Sequence, residues 1–291
     1  MPLGVGCRNV DLIDAHQGAR IPLRLFYPTR ETEKSVPIGP YLFDLAVDAP
    51  VAGDGLPLAV ISHGRGSSAL VFRDLAAHLA RERFVVALPE HPGNNRDDNS
   101  LVDTLANLEN RPRHITLTID AAFADAVVGR HIAPRRVAVI GHSMGGYTAL
   151  AVAGGRPTAF AHESPDGKAC AVQVERDARV RAIVLLAPAT VWFKERDALG
   201  EIDSPILMRT AEKDQFAPGF HADIVTGGIG DTDLIDHRVV PGAGHFSFLS
   251  VFPPEMTRPD FPPSQDPAGF DRSAFHKILN GEIVAFLRRV L

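Results

Sequence analysis

Cysteine and long apolar runs are scarce in this chain, and each scarcity excludes a class of protein. Two cysteines, Cys7 and Cys170, among 291 residues allow at most one disulfide bond. A disulfide-stapled scaffold is therefore excluded, and we expect free thiols in a reducing compartment. No apolar run approaches the roughly 18 residues that a membrane-spanning helix needs, and the first residues lack the apolar core of a signal peptide. We expect a cytoplasmic protein without a membrane span.

An excess of positive charge is also lacking. The formal net charge is -5 at pH 7, and no long basic run occurs. Proteins that bind nucleic acid depend on clustered Lys and Arg, so we expect no nucleic-acid partner. Hydrophobic residues make up 45% and charged residues 22%, which is the balance of a soluble globular protein. Without internal repeats or a convincing linker, residues 1–291 are predicted to form a single domain.

Short apolar, β-branched segments alternate with helical patterns along the chain. Two strands near the N-terminus, 10–13 and 21–27, are predicted to form an antiparallel hairpin. Further buried strands are predicted at 58–62, 84–88, 137–140, 180–186, 205–210 and 237–240. Helical patterns fall at 70–80, 111–131, 190–199, 218–225 and 272–291. This alternation predicts an α/β fold with a mostly parallel central sheet, an N-terminal antiparallel hairpin and helices on both faces.

Three segments show neither the alternation typical of a strand nor the spacing typical of a helix. They are rich in proline, glycine or charge, and they are predicted as surface insertions at 29–55, 154–179 and 252–270. The first is predicted to be a long surface loop with at most a short turn near 41–45.

Residues 137–150 carry the strongest functional signal. The strand 137–140 runs into Gly-His-Ser-Met-Gly at 141–145, which fits G-x-S-x-G, and a buried helix is predicted to follow. In this context the glycines remove side chains that would collide at a sharp turn. The hydroxyl of Ser143 would then stand clear at the carboxyl end of the sheet as a nucleophile. The alternative is a glycine-rich turn with an incidental serine.

A serine nucleophile needs a base and the base needs an orienting acid. In this strand–turn–helix architecture the chain order is serine, acid, histidine. Asp214 follows the predicted strand 205–210, and His245 follows the predicted strand 237–240. Both are therefore expected at the same edge of the sheet as Ser143. Glu212 remains an alternative acid.

Other acids and histidines fit the pattern less well. Asp203 precedes a predicted strand and His237 begins one, so both fall at the wrong end of the sheet. Asp223 and His221 are expected on a helix, and His142 is expected to shape the turn beside the serine.

An oxyanion needs two backbone donors, and aromatic side chains are expected around it. Met144 can supply one amide, and the loop after strand 58–62 can supply the other from Arg65 or Gly64. Trp192 and Phe246 are predicted to line an apolar substrate site. The alternative is that these rings pack beneath the loops and only support them.

These motifs resemble the α/β-hydrolase superfamily. The resemblance rests on Ser-His-Gly-Arg-Gly, Gly-His-Ser-Met-Gly-Gly and Gly-His at 62–66, 141–146 and 244–245. Within the superfamily, three further segments resemble the bacterial proteins called predicted dienelactone hydrolases, which are related to the platelet-activating-factor acetylhydrolases. These are Phe-Tyr-Pro, Phe-Val-Val-Ala and Glu-His-Pro-Gly-Asn at 26–28, 84–87 and 90–94. The resemblance extends over about residues 5–250.

Two departures limit what the resemblance implies. True dienelactone hydrolases use a cysteine nucleophile where this chain has Ser143. The acetylhydrolases carry their acid directly after the strand that follows the nucleophile strand, where this chain reads Leu-Ala-Pro-Ala at 186–189. This favours Asp214 as the acid and weakens a phospholipid assignment.

The sequence therefore predicts a serine hydrolase that cleaves small carboxylic esters through an acyl-enzyme. It implies no metal and no organic cofactor. An amidase or small-peptide hydrolase with the same three residues is the alternative within enzymes. A non-catalytic binding protein of the same fold is the alternative from another class. The oligomeric state is not readable from the sequence.

Overall fold

The central element of the computed structural model, which describes residues 2–291, is a ten-stranded sheet. Two further short strands pair separately in the predicted insertion 154–179. In chain order the strands are β1 Gly4–Asp14, β2 Ala19–Thr29, β3 Lys34–Ile38, β4 Tyr41–Val47, β5 Leu56–Ser62, β6 Val85–Pro89, β7 Ile132–His142, β8 Thr158–Ala159, β9 Cys170–Ala171, β10 Val180–Leu186, β11 Ile206–Ala211 and β12 Ile235–Val240.

The sheet is mostly parallel, as predicted. Its order is β12-β11-β10-β7-β5-β6-β2-β1-β4-β3. The six strands from β12 to β6 pair in parallel, and β2 joins them antiparallel to β6. β1 and β2 form the predicted antiparallel hairpin. The carboxyl ends of β5, β7, β11 and β12 therefore meet at one edge, where ligand sites of such sheets lie.

Among residues 2–291, five α-helices cover the two faces of this sheet. They are α1 Arg73–Arg81, α2 Leu105–Ala124, α3 Met144–Val152, α4 Phe220–Gly228 and α5 Arg272–Val290. Buried side chains of α2, α3 and α4 share one core cluster, and those of α1 and α5 share the other. Along β7, Val137 and Val139 enter the first cluster while Ala138 and Ile140 enter the second. Both faces are buried, which explains why the strand is apolar throughout.

None of the helices within residues 2–291 combines the length and the apolar character that crossing a bilayer requires.

The prediction of a long loop over 29–55 is wrong. β3 and β4 form an antiparallel hairpin there, and β4 pairs in parallel with β1. The alternation that makes β4 a strand is present, since Tyr41, Phe43 and Leu45 are buried while Leu42 and Asp44 are exposed. The surrounding prolines, glycines and charges hide this short period in the sequence.

The helix predicted over 111–131 is displaced toward the N-terminus. α2 begins after Thr104, whose hydroxyl accepts a hydrogen bond from the Asn107 amide. Pro112 lies inside the helix and leaves the Leu108 carbonyl without its helical donor. The Tyr147 hydroxyl donates to that carbonyl at 2.9 Å, so α3 supplies the missing partner. No local pattern in the sequence shows this compensation.

The remaining differences are smaller. The helix predicted over 190–199 is only a single 3-10 turn, Val191–Phe193. The segments 154–179 and 252–270 contain no α-helix; they hold the short β8–β9 pair and two 3-10 turns, Pro254–Met256 and Pro262–Ser264.

Candidate active site

Ser143 occupies a strained turn between β7 and α3. Its backbone has φ 52° and ψ -120°, a conformation that costs a non-glycine residue on the order of 1–3 kcal/mol. Three hydrogen bonds hold it there. The Ser143 amide donates to the Leu186 carbonyl at 3.1 Å, and its carbonyl accepts from the Gly146 and Ala189 amides, each at 2.8 Å. The turn is therefore fixed by β10 and the segment after it as well as by its own helix.

The glycines of the motif are required by space. A β-carbon on Gly141 would overlap the Gly145 carbonyl, and one on Gly145 would overlap the Ser62 carbonyl. Backbone atoms cannot move away as a flexible side chain could. The G-x-S-x-G pattern thus reflects the close packing of β5, β7 and α3 around the serine.

His245 and Asp214 meet on the loops after β12 and β11. The Nδ1 atom of His245 lies 2.8 Å from Oδ2 of Asp214, and both side chains are buried. Oδ1 of Asp214 accepts from the amides of Phe216 and Ala217, each at 2.8 Å. Burial acts to raise the pKa of Asp214, but the hydrogen bonds from His245 and these amides outweigh it and hold that pKa below its ordinary value. The ionised carboxylate then keeps the imidazole proton on Nδ1 and leaves Nε2 as the basic nitrogen.

His142 connects the His245 loop to the serine turn. Its Nε2 atom donates to the His245 carbonyl at 3.0 Å, and the two rings lie 4.8 Å apart between centroids. Burial, with the nearby His245, lowers the pKa of His142 to about 3, so it is a neutral donor at physiological pH. Within residues 2–291 the Ser143 hydroxyl makes no hydrogen bond. Such bonds are often long without substrate and tighten when it binds.

Glu212, the alternative acid, does not contact the imidazole. Its carboxylate accepts from the Gly242 amide at 2.7 Å and so supports the turn that precedes His245. Three of the other candidate acids and histidines form hydrogen bonds away from the serine turn. These pairs are Asp203 with Arg176, His221 with Thr190, and His237 with Thr210; Asp223 lies on α4.

The loop after β5 is held by a histidine of defined tautomer. The His91 amide donates to Nε2 of His63 at 3.1 Å, so the proton of His63 lies on Nδ1, which donates to the Gly64 carbonyl at 2.7 Å. Burial and the charge of Arg111 lower the pKa of His63 to about 3, which keeps it neutral. In a planar trans peptide the N–H points away from the preceding carbonyl. Holding the Gly64 carbonyl on the His63 side therefore directs the Arg65 amide to the opposite side.

The amides of Met144 and Arg65 have no partner among the described residues 2–291. Met144 is the first residue of α3, where amides are free and the helix dipole favours negative charge. Gly64 touches the serine, since a β-carbon placed on it would lie 3.3 Å from that of Ser143. The side chain of Arg65 makes a two-point ion pair with Asp103, with both distances 2.9 Å, which ties the loop to the segment before α2.

Aromatic rings surround His245. Phe246 lies edge-on to the imidazole at 5.2 Å, and Phe216 lies 5.2 Å from both His245 and Phe246. Phe216 is 65% exposed, which is unusual for a large apolar side chain beside buried polar groups. Its position two residues after Asp214 is a signal in the sequence that could have placed it beside the imidazole.

Trp192 has a different set of contacts. Its indole nitrogen donates to both carboxylate oxygens of Glu163 at 3.0 Å, and its ring packs edge-on against Tyr147 at 4.9 Å. These contacts tie the insertion 154–179 to α3. The structure thus brings Gly64 and Phe246 beside the serine and histidine, while the ring contacts of Trp192 are with Tyr147 and Phe160.

No group of three or more His, Cys, Asp or Glu side chains among residues 2–291 has the arrangement of a metal site. The polar groups described at this edge of the sheet are a serine hydroxyl, an imidazole, a carboxylate and two backbone amides.

Comparisons with known proteins agree with this architecture. Residues 57–162 match the family model for the alpha/beta hydrolase fold. A comparison with curated protein sequences finds no significant match.

Three solved structures are similar over nearly the whole chain. A ferulic acid esterase from Streptomyces cinnamoneus has a TM-score of 0.68 at 20% identity, over 100% of this chain and 90% of that one. A dienelactone hydrolase-like promiscuous phosphotriesterase from metagenomic libraries has a TM-score of 0.63 at 15% identity, over 99% of each chain. A CIB-like hydrolase from Thermoplasma acidophilum has a TM-score of 0.56 at 16% identity, over 97% of this chain and 100% of that one. At these identities the likeness concerns the fold. The sheet order, the serine turn and the matched family model together show that the chain has the α/β-hydrolase fold.

Proposed function

We propose that the protein is a serine hydrolase that cleaves carboxylic esters through an acyl-enzyme. The proposal rests on the 2.8 Å hydrogen bond between His245 and Asp214. His142, which precedes Ser143 in its strained turn, is hydrogen-bonded to the His245 carbonyl and so connects the histidine loop to the serine. A protein that only binds ligands has no need of a strained serine together with an oriented base. The esterase among the similar structures also supports the proposal.

Ser143, His245 and Asp214 have distinct roles in the proposed reaction. Ser143 Oγ attacks the carbonyl carbon as its proton passes to Nε2 of His245, and the carbonyl oxygen becomes an oxyanion facing the amides of Met144 and Arg65. The intermediate collapses and the alcohol leaves with the proton from His245. Water then attacks the acyl-enzyme by the same steps and releases the acid. Asp214 keeps the imidazole oriented and stabilises its cationic form.

The substrate class follows from the rings beside the imidazole. Phe216 and Phe246 present an apolar surface next to His245, and the Phe216 side chain is largely exposed to solvent. An acyl or alcohol group that covers these rings gains binding energy from the apolar area removed from water. We therefore propose esters with an apolar acyl or alcohol group.

The test is a rate comparison on p-nitrophenyl esters and the matching anilides. Wild type should hydrolyse the esters, and Ser143→Ala should lose on the order of 10⁴-fold in kcat while keeping its melting temperature. Ser273→Ala, an exposed serine at the start of α5, serves as the matched control and should behave as wild type. Faster cleavage of the anilides than of the esters would show that the protein is an amidase and not an esterase. Full activity of Ser143→Ala would remove the mechanism.

A further inference from the structure

One buried cation lies beneath the site with no carboxylate beside it. The Arg111 side chain, on α2, is 0% exposed and forms no ion pair among residues 2–291. Burial lowers the pKa of its guanidinium to about 9, so the group is still charged at neutral pH. Burying an unpaired charge is costly, and it is tolerated only where hydrogen bonds satisfy it. The hydrogen-bond acceptors that stabilise the Arg111 charge therefore indicate what the side chain does in this position.

One arm of Arg111 holds the loop after β5. Its Nη2 atom donates to the His63 carbonyl and, at 3.4 Å, to the Ser62 hydroxyl. Its Nη1 atom donates to Asn94 Oδ1 at 2.7 Å. The His63 carbonyl belongs to the same peptide as the Gly64 amide, so fixing the carbonyl fixes the plane from which the loop continues to Arg65.

The other arm holds the start of α3. Arg111 Nε donates to the Thr148 hydroxyl at 3.0 Å, and this hydroxyl donates to the Met144 carbonyl at 3.0 Å. Met144 supplies the other free amide of the site. A single rigid guanidinium is therefore linked to both backbone segments whose amides are proposed to receive the oxyanion, and it reaches them from the protein interior.

We propose that Arg111 is a positioning residue that fixes the two halves of the oxyanion site relative to each other. It holds the β5 loop through the His63 carbonyl and helix α3 through Thr148. Because all four acceptors are neutral, no nearby carboxylate cancels its charge, and its field favours the negative oxygen of the tetrahedral intermediate. This inference rests on the proposed function, because only an oxyanion needs the two amides at a fixed separation.

The test uses Arg111→Met and Thr148→Val, which keep volume and remove hydrogen bonds. Two measurements are made on each folded variant: kcat and KM on a p-nitrophenyl ester, and the inhibition constant of an alkyl trifluoromethyl ketone. Such a ketone takes up the serine oxygen at its carbonyl carbon, the serine proton passes to His245, and the carbonyl oxygen becomes an oxyanion. Its affinity therefore reports on the oxyanion site, whereas KM reports largely on ground-state binding.

Arg111→Met is expected to lower kcat roughly 10- to 100-fold, to weaken ketone binding by a similar factor and to leave KM within about 3-fold. Thr148→Val is expected to lower kcat and ketone affinity roughly 3- to 10-fold, since it cuts only one of the two links. Arg209→Met and Thr118→Val are the controls. Arg209 is a buried arginine paired with Glu282, and Thr118 is a buried threonine bonded to the His114 carbonyl. Both controls should lower the melting temperature without changing ketone affinity.

Ketone affinity and kcat at wild-type values in both test variants would overturn the inference. If Arg111→Met does not fold, Thr148→Val decides alone, and unchanged ketone affinity in that variant overturns the inference equally. A wild-type protein that neither hydrolyses esters nor binds the ketone would instead refute the proposed function, and the role of Arg111 with it. An active wild type with unaffected variants would refute only the role of Arg111.

Discussion

At the scale of single residues, the neighbouring carboxylates of Glu212 and Asp214 have different hydrogen-bond partners. Asp214 bonds the imidazole of His245, while Glu212 bonds the Gly242 amide on the turn before it. Asp214→Asn should lower kcat on the order of 10⁴-fold with little change in KM, because the amide favours the wrong tautomer of His245. Glu212→Gln should stay within about 3-fold of wild type, since a neutral amide oxygen still accepts from Gly242. Steady-state kinetics on one ester decides between them, and the reverse pattern would make Glu212 the acid.

Phe216 is the residue that should set the preference for apolar substrates. Phe216→Ala removes the exposed ring beside His245, and we expect a loss of about tenfold in kcat/KM for octanoyl esters with little change for acetyl esters. Phe220→Ala is the matched control, because Phe220 is also exposed but stacks on His221. Rates across acyl chain lengths give the answer. An equal loss on acetyl and octanoyl esters would mean that Phe216 supports the imidazole instead of the substrate.

At the scale of elements, one hydroxyl of α3 completes the backbone hydrogen bonding of α2. Tyr147→Phe leaves the Leu108 carbonyl, already deprived of its helical donor by Pro112, without a partner in the interior. The free energy of unfolding should fall by about 1–3 kcal/mol, the cost of an unsatisfied buried acceptor. Urea unfolding measures this loss.

The same chain offers a matched control for that substitution. Tyr27 is fully buried, and its hydroxyl has no hydrogen-bond partner within residues 2–291. Tyr27→Phe removes an unpaired polar group, so stability should stay the same or rise. Equal losses in Tyr27→Phe and Tyr147→Phe would show that the Leu108 bond has no special weight.

The elements that the sequence predicts well are those whose cause is local. The strand, turn and helix around Ser143 follow from an apolar run, two glycines without room for a β-carbon, and a helix start. β3 and β4 were missed because their burial comes from packing against the edge strand β1, which no local pattern reveals. The start of α2 was missed because Tyr147, far along the chain, compensates for Pro112.

The same distinction applies to the site. The placement of Ser143, Asp214 and His245 on the loops after β7, β11 and β12 could be predicted from the order of the strands and the motifs that follow them. Arg111 and Phe216 could not be selected in the same way, because an arginine is usually solvated and a phenylalanine is usually buried. In this protein Arg111 is buried and Phe216 is exposed, and only the three-dimensional fold determines these environments.

At the scale of the whole molecule, buried neutral histidines should make the fold sensitive to acid. Burial lowers the pKa of His63 and of His142 to about 3, whereas histidines in an unfolded chain titrate near 6.5. Between these values the unfolded chain binds protons that the folded chain does not. The free energy of unfolding therefore falls as pH falls through this window, by about 2 kcal/mol for each histidine between pH 7 and pH 5.

Urea unfolding at pH 7, 6 and 5 tests this dependence at constant ionic strength. The midpoint should move to lower urea as the pH falls, and the slope of the transition should stay constant. A midpoint that stays fixed or rises toward pH 5 would contradict neutral burial of these histidines.

Covalent labelling by a fluorophosphonate, read by peptide mass spectrometry, tests directly whether Ser143 is an activated nucleophile. The reagent phosphonylates only a serine whose hydroxyl is activated by a neighbouring base. We predict one adduct per chain, on the peptide that contains Ser143, formed in wild type and lost in both Ser143→Ala and His245→Ala. An adduct on a different serine, or unchanged labelling in His245→Ala, would contradict this prediction.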